Sequence, residues 1–370
     1  MSTTGSRRSK LHNPRCLDLF SGIGGLSIGL SRAGMDVIGG IDCWEDAGAT
    51  YRQNLKSHRC MIADLSNVSP TEICRFFDIR SGEIDVIAGG PPCQGFSTVG
   101  KRDGDDPRNK LWNHFRDIVA AFEPKYLLIE NVEGLIVTQR GKVRDSIIRA
   151  FRGIGYELEC RLLKAADFGV PQLRKRTIFL GTRIGERRVE FPEPTMKKHV
   201  SVSEAIFDLP ALDAGQCTHR YGKSPISEYQ RARRKDVEIL THHQAANHPP
   251  HLIKLLAHIP DGGNRKSIPD RLQPRSGFHN SYARLCELET GNCRNFDHAK
   301  AIIGSGNASH SKSRTDGAGR IATAVVRRRF RSPGLKDFAV LASRQCGPSF
   351  VRRSARSSDR RCVLRPRKQK

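Results

Sequence analysis

The stretch RCLDLFSGIGGLSIGLSRAG, residues 15–34, predicts a strand, a glycine turn and a helix in direct succession. The apolar run at 15–20 is typical of a buried strand, and the helix is expected to end near the glycine that closes the stretch. The glycines from Gly22 onward are bunched as G-x-G-G, which differs from the G-x-G-x-x-G spacing of dinucleotide-binding turns. Glycines at a helix start let the backbone approach a ligand closely, so the turn predicts a nucleotide-like ligand without identifying it.

Strands and helices continue to alternate through the first half of the chain. Short apolar runs predict further strands, and a 3.6-residue period predicts helices between most of them. The expected strands are 35–42, 60–65, 84–90, 125–132 and 176–183, and the expected helices are 44–55, 111–124 and 142–156. This alternation predicts an α/β fold with a mainly parallel, doubly wound sheet.

Polar residues follow the predicted strands at the points where those strands end. Asp42, Asp64, Cys93 and Glu130 each occupy such a position. Because ligands of parallel α/β sheets bind at the carboxyl ends of the strands, we expect these residues to share one site. Asp42 suits the hydroxyls of a ribose, although the same residue could instead cap the helix that follows it.

The segment GGPPCQGFS, residues 89–97, holds Cys93 between two prolines and a glutamine. Consecutive prolines fix φ near −65° and remove two backbone donors, so the loop is stiff. We therefore expect it to hold the Cys93 thiol in one fixed direction. A thiolate is a strong nucleophile that can also leave, and a carboxylic acid can activate a pyrimidine ring for attack. The alternative is a tight turn that buries a small, inert cysteine.

The composition indicates a nucleic-acid partner and a reducing compartment. The 370 residues carry a formal net charge of +25 and a pI of about 10.1, which favours a polyanion. No apolar run is long enough for a membrane span, and the first residues do not resemble a signal peptide. The 11 cysteines are scattered without metal spacing, so we expect neither disulfides nor a metal site.

In four motifs the sequence resembles the cytosine-C5 DNA methyltransferases. DLFSGIGGLSIGL resembles the first motif of that family, and GGPPCQGFS resembles its catalytic loop. ENV at 130–132 resembles its glutamate motif, and QLRKR at 172–176 resembles its Q-x-R-x-R motif. The four occur in the family's order, and the resemblance runs from about Cys16 to Leu285.

The resemblance implies S-adenosylmethionine as cofactor and assigns a role to each matching residue. Asp42 would hold the ribose hydroxyls, and Asp64 the adenine. Cys93 would attack C6 of cytosine, and Glu130 would bind the base at N3 and its amino group. The implied cofactor-binding residues are Phe20, Gly22, Gly24, Leu26, Asp42, Cys43, Asp64, Leu65 and Pro91. The implied catalytic residues are Cys93, Glu130, Arg174 and Arg176, the two arginines steadying the base and the loop.

The resemblance also implies partners and a domain organisation. The substrate would be double-stranded DNA whose target base is flipped out of the duplex, and a cognate restriction endonuclease is a further expected partner. The protein would be a monomer in the bacterial cytoplasm, associated with the nucleoid and not with a membrane. The expected units are a basic tail at 1–14, a catalytic and cofactor-binding domain at 15–184, a smaller irregular target-recognition domain at 185–280, a return to the catalytic domain at 281–285, and a basic tail at 286–370.

The family pattern ends after Leu285, and residues 286–370 hold 20 Lys and Arg against 6 Asp and Glu. This tail is either a basic arm for the DNA backbone or an out-of-frame translation, which would be disordered because it cannot bury enough apolar surface. The second alternative predicts reduced or absent activity. Two other functions stay open: an RNA cytosine methyltransferase, and a catalytically inactive DNA-binding remnant.

Overall fold

The computed structural model describes residues 13–56, 58–92, 111–235 and 237–273, together with three short strand segments between 302 and 326. Its centre is a seven-stranded sheet with the order β3-β2-β1-β4-β5-β7-β6. The strands are β1 Arg15–Leu19, β2 Asp36–Asp42, β3 Arg59–Ile62, β4 Val86–Gly89, β5 Tyr126–Val132, β6 Tyr156–Lys164 and β7 Lys175–Arg183. The helices around it are α1 Gly25–Arg32, α2 Glu45–Asn54, α3 Pro70–Phe77, α4 Leu111–Phe122, α5 Gly134–Val137 and α6 Lys142–Arg152.

The strands from β1 to β5 are parallel, whereas β7 runs antiparallel to both β5 and β6. The predicted α/β class with a mainly parallel sheet is therefore confirmed. The strand order reverses direction next to β1, because β2 lies on one side of β1 and β4 on the other. Such a switch point leaves a crevice at the carboxyl ends of the strands, and Asp42 and Glu130 lie near the carboxyl ends of β2 and β5.

Three elements of this domain, the helices α3 and α5 and the strand β6, were absent from the sequence-based prediction. Helix α3 begins after a capping box in which Ser69 and Glu72 satisfy each other's backbone amides. The predicted helix at 142–156 ends at Arg152, and the chain then forms the nine-residue edge strand β6. The sequence of β6, YELECRLLK, mixes four charged residues with apolar ones because an edge strand exposes much of its surface.

Apolar side chains fill both faces of the sheet. The larger cluster joins strands β1, β2, β4, β5 and β7 to helices α3, α4 and α6. A smaller cluster of Cys16, Leu26, Val86 and Ala88 packs on the opposite face. Because the sheet is covered on both sides, its central strands are mainly apolar, as the sequence indicated.

Residues 185–273 contain short elements with little regular structure between them. These are α7 Val202–Ile206, α8 Glu228–Arg234, β8 His243–Gln244 and α9 Pro250–Leu256. The three segments described beyond 273 are β9 Ile302–Gly304, β10 Ile321–Thr323 and β11 Val325–Val326. Strand β11 pairs with β8, and β10 pairs with β9. The proposed division at 185 and the two hypotheses for the tail remain predictions, because most of the tail lies outside the described residues.

Within the described residues, no helix has both the length and the apolar content that crossing a membrane requires.

Candidate active site at the carboxyl edge of the sheet

The glycine turn after β1 has a left-handed backbone conformation, which residues with a Cβ rarely adopt. Gly22 and Gly24 have φ values of 52° and 86°, and Phe20 before them has a φ of 57°. A Cβ on Gly24 would lie only 2.8 Å from a ring carbon of the buried Tyr51. Both conformation and crowding therefore require glycine at position 24.

The carboxylate of Asp42 joins this turn to the end of β2. One oxygen accepts the backbone N–H of Gly22 at 2.7 Å, and the other accepts the N–H of Trp44 at 3.0 Å. Each oxygen retains a further lone pair, so the carboxylate can both hold the turn and accept from a ligand hydroxyl. Asp42 thus supports the turn and the residue before α2, but it is not the cap of that helix, whose N-cap residue is Trp44. Its contact with a ribose stays a prediction.

Asp64 and Cys43 lie at the same carboxyl edge of the sheet as Asp42, and this edge is called the rim below. One carboxylate oxygen of Asp64 accepts the N–H and the hydroxyl of Ser66, at 2.9 and 2.8 Å, and these bonds lower the pKa of Asp64. Burial raises the pKa of the Cys43 thiol, and the charges of Asp42 and Asp64 raise it further. The fold therefore gathers these three predicted residues, and the lowered pKa of Asp64 favours its ionised form as an acceptor.

A buried polar network underlies the glycine turn. The Ser27 hydroxyl donates to the Asp18 carboxylate at 2.7 Å, and the Tyr51 hydroxyl donates to Ser27 at 3.0 Å. All three side chains are fully buried, and they join β1, α1 and α2. This network was not predicted from the sequence, although an acid inside the apolar run RCLDLF is a signal for a buried polar contact.

Both predicted cofactor-binding leucines, Leu26 and Leu65, have side chains in the core. Leu26 packs in the smaller cluster and Leu65 in the larger one, with exposed fractions of 6% and 4%. Both residues therefore expose little surface to a ligand, and their assignment to the cofactor stays a prediction. Phe20 is half-buried and packs against the larger cluster.

On β5, Glu130 is paired with an arginine of the neighbouring strand. Nε of Arg176 lies 2.8 Å from Oε1 of Glu130, and the two side chains are only 10% and 9% exposed. The contact is an ion pair and not an aligned hydrogen bond, since the Nε–H is not directed at an acceptor. A second guanidinium nitrogen, Nη1, donates to the carbonyl oxygen of Lys175 at 2.8 Å. The acid is therefore held in one orientation with its charge compensated.

Arg174 and Arg176 are buried, which excludes ordinary surface charge as their explanation. Arg174 has an exposed fraction of 2% and Arg176 of 8%. The carbonyl oxygen of Arg174 accepts the N–H of Ala165 at 2.8 Å, which joins the segment before β7 to the turn after β6. The antiparallel register then brings Arg176 opposite Val132, diagonal to Glu130.

The segment that precedes Cys93 is attached to β5 by a side chain. Nδ2 of Asn131 donates to the carbonyl oxygen of Pro91 at 3.0 Å, and this contact is buried. Cys93 itself lies outside the described residues, as does the loop up to residue 110. No role was predicted for Asn131 from the sequence, although its position after Glu130 in the ENV motif was a signal that it belongs to the site.

Comparison with known proteins connects this site to one enzyme family. The model of the C-5 cytosine-specific DNA methylase family matches residues 14–278. The chain is 36% identical over 271 residues to the type II methyltransferase M1.HphI of Haemophilus parahaemolyticus, a match that covers 72% of this chain and 67% of that protein. It is 36% identical over 233 residues to the type II methyltransferase M.XorII of Xanthomonas oryzae, covering 60% of this chain and 54% of that protein.

A solved structure has the same architecture. A DNA modification methyltransferase assigned to an E. coli prophage superposes with a TM-score of 0.63 and 26% identity, over 76% of this chain and 82% of that one. The chain spans between about half and two thirds of the length of the two type II methyltransferases above.

Proposed function

Because this chain belongs to the C-5 cytosine-specific DNA methylase family, we propose that it transfers a methyl group from S-adenosylmethionine to C5 of a cytosine in duplex DNA. The observation that carries the proposal is the hydrogen bond from Asn131 to Pro91. It attaches the chain that runs into Cys93 to the strand that bears Glu130. A nucleophile and a carboxyl group for one pyrimidine ring then come from neighbouring strands of one rim.

The rim fits the proposed cofactor. The glycines of the turn carry no side chains that could keep a ligand from the backbone, and a Cβ at position 24 would meet Tyr51 and displace the turn. Asp42 offers free lone pairs to a ribose diol, and Asp64 offers an exposed, ionised acceptor to an adenine amino group. When bound, S-adenosylmethionine supplies an electrophilic methyl group on a positively charged sulfur.

The residues of the chain supply the remaining chemistry. The Cys93 thiolate forms a bond to C6 of the cytosine, which moves electron density to C5 and makes that carbon nucleophilic. Glu130 holds the ring through N3 and the exocyclic amine, and Arg176 keeps Glu130 in place. After methyl transfer, loss of the C5 proton and of the Cys93 sulfur from C6 restores the aromatic ring and frees the thiolate.

The proposed substrate and partners follow from charge and from the relatives. The net charge of +25 suits a DNA backbone, and a cytosine inside a duplex must be flipped out to reach the rim. The relatives are named type II methyltransferases, which supports a cognate restriction endonuclease as a partner. We further propose that the protein acts as a monomer associated with the nucleoid, which sedimentation and fluorescence localisation would test.

The test is transfer of labelled methyl groups from S-adenosylmethionine to mixed-sequence duplex DNA, with transfer RNA as a second substrate. DNA labelling that disappears in Cys93→Ser supports the proposal. Preferential labelling of transfer RNA would replace it with an RNA methyltransferase. Salt-sensitive DNA binding without labelling or cofactor binding would indicate an inactive remnant, and would favour an out-of-frame tail.

A further inference from the structure

The described part of the Pro-Pro-Cys segment has few ways to attach itself to the sheet. Strand β4 ends at Gly89, and its last pairing with β5 is Gly89 with Ile129. Pro91 and Pro92 have no N–H groups, so they cannot continue the backbone ladder along β5. The prolines themselves can therefore be attached to β5 only through their carbonyl groups and a donor from another residue.

Asn131 is that donor, and its own orientation is fixed. Its Nδ2 donates to the Pro91 carbonyl oxygen at 3.0 Å, while its Oδ1 accepts the N–H of Val132 at 2.9 Å. Asn131 is 5% exposed, and Pro91 is buried as well. Because both ends of the amide are bonded, a rotation that breaks the contact with Pro91 would also break the contact with Val132.

Water is a poor replacement for this donor. The cavity behind the contact has a volume of about 10 Å³, and its walls are mainly apolar: Pro91, Trp112, Phe115, Ile129, Phe151 and Phe179. Such a cavity is at the lower size limit for one water and offers too few polar partners to hold it. If Asn131 lost its donor, the Pro91 carbonyl would be buried without a partner or would move to find one.

We propose that Asn131 is a positioning residue for the proposed methyl transfer: it holds the start of the Pro-Pro-Cys segment on β5 and so aims Cys93 at the base held by Glu130. Asn131 acts only through Pro91, two residues before the nucleophile, and touches no reacting atom. The inference rests on the proposed function, because it assigns Cys93 the role of nucleophile.

The decisive variant is Asn131→Asp, which keeps the size of the side chain but has no donor when ionised. The matched control is Tyr156→Phe, since the buried Tyr156 hydroxyl also donates to a proline carbonyl, Pro124, at 2.7 Å and at the opposite end of the sheet. In methyl transfer to DNA at pH 8, we expect kcat of Asn131→Asp to fall at least 30-fold while KM for S-adenosylmethionine changes less than threefold. Tyr156→Phe should stay within twofold of the wild type.

Measuring kcat at several pH values separates a loss of positioning from a general loss of folded structure. A buried carboxyl group has a raised pKa, and its protonated form again offers an O–H to Pro91. The ratio of the variant's kcat to that of the wild type should therefore rise when the pH is lowered from 8 to 6. A ratio that is independent of pH, or a loss of kcat as large in Tyr156→Phe, would overturn the proposal.

Alkylation of Cys93 by iodoacetamide, followed by mass spectrometry of its peptide, gives a readout that does not need activity. We expect at least threefold faster alkylation in Asn131→Asp and an unchanged rate in Tyr156→Phe. If the wild type transfers no methyl group, the proposed function fails, and this rate still decides whether Asn131 holds the segment. Equal rates in all three proteins would overturn it.

Discussion

Arg176 and Glu130 form an ion pair of 2.8 Å between adjacent antiparallel strands, and both side chains are about nine-tenths buried. The Lys175 carbonyl also accepts from Arg176, so the guanidinium is held by two contacts. An ion pair at this depth contributes little net stability, but removal of one partner leaves the other as a buried charge.

Arg176→Met should therefore lower the free energy of unfolding by about 3–5 kcal/mol. Urea unfolding followed by circular dichroism would measure it. The double variant Arg176→Met with Glu130→Gln should recover at least half of that loss, because it removes the uncompensated carboxylate. A double variant as unstable as the single one would show that packing of Arg176, and not its charge, is responsible.

The glycine turn gives a second prediction. Gly24→Ala adds a Cβ 2.8 Å from Tyr51 at a φ of +86°, so it should both destabilise the protein and displace the turn. We expect the dissociation constant of S-adenosylhomocysteine, measured by calorimetry, to rise at least tenfold. Gly34→Ala is the control, because Gly34 has a φ of +92° but no atom within 4 Å of an added Cβ. It should cost about 1 kcal/mol of stability and leave the affinity unchanged. Equal affinities in both variants would contradict the assigned role of the turn.

Asp42 connects the turn to the proposed ribose site, so a change of its charge should reduce cofactor binding. Asp42→Asn keeps the shape but directs an NH₂ group at one of the two backbone amides, Gly22 or Trp44, that the carboxylate now accepts. We expect S-adenosylhomocysteine to bind at least tenfold more weakly in fluorescence titration. Asp36→Asn, at the amino end of the same strand, should bind as the wild type does. Unchanged binding in Asp42→Asn would mean that the ligand does not reach this carboxylate.

Tyr156 predicts how stability depends on alkaline pH. Burial raises the pKa of its hydroxyl from 10.0 to about 12, and the hydroxyl is bonded to Pro124. Below pH 10 the group is protonated in both the folded and the unfolded state. Above pH 10 the unfolded state releases its proton first, so stability should fall between pH 10 and 12, by about 2–3 kcal/mol for this group. Urea unfolding across this range should show a shallower decline for Tyr156→Phe. Parallel curves would exclude Tyr156 as the cause.

The sequence predicted those elements whose residues are buried on both faces or placed at strand ends. Apolar runs in the sequence predicted strands β1, β2, β4, β5 and β7. Three acids lie at or near strand ends, namely Asp42, Asp64 and Glu130. Strand β6 was missed because an edge strand needs no continuous apolar run, and α3 was missed although its capping box stood in the sequence. Asn131 was missed because its importance depends on Pro91, which is 40 residues away in the chain.

By itself, the sequence determined the α/β class, the motif order and the residue types gathered at one rim, because these depend on local periodicity and on where strands end. Only the tertiary structure decided which residues support one another. The antiparallel register of β5 and β7 puts Arg176 beside Glu130, the end of β2 puts Asp42 against Gly22, and the end of β4 puts Pro91 within reach of Asn131. Such contacts depend on strand register and on side-chain burial, which long-range packing sets and no local sequence pattern records.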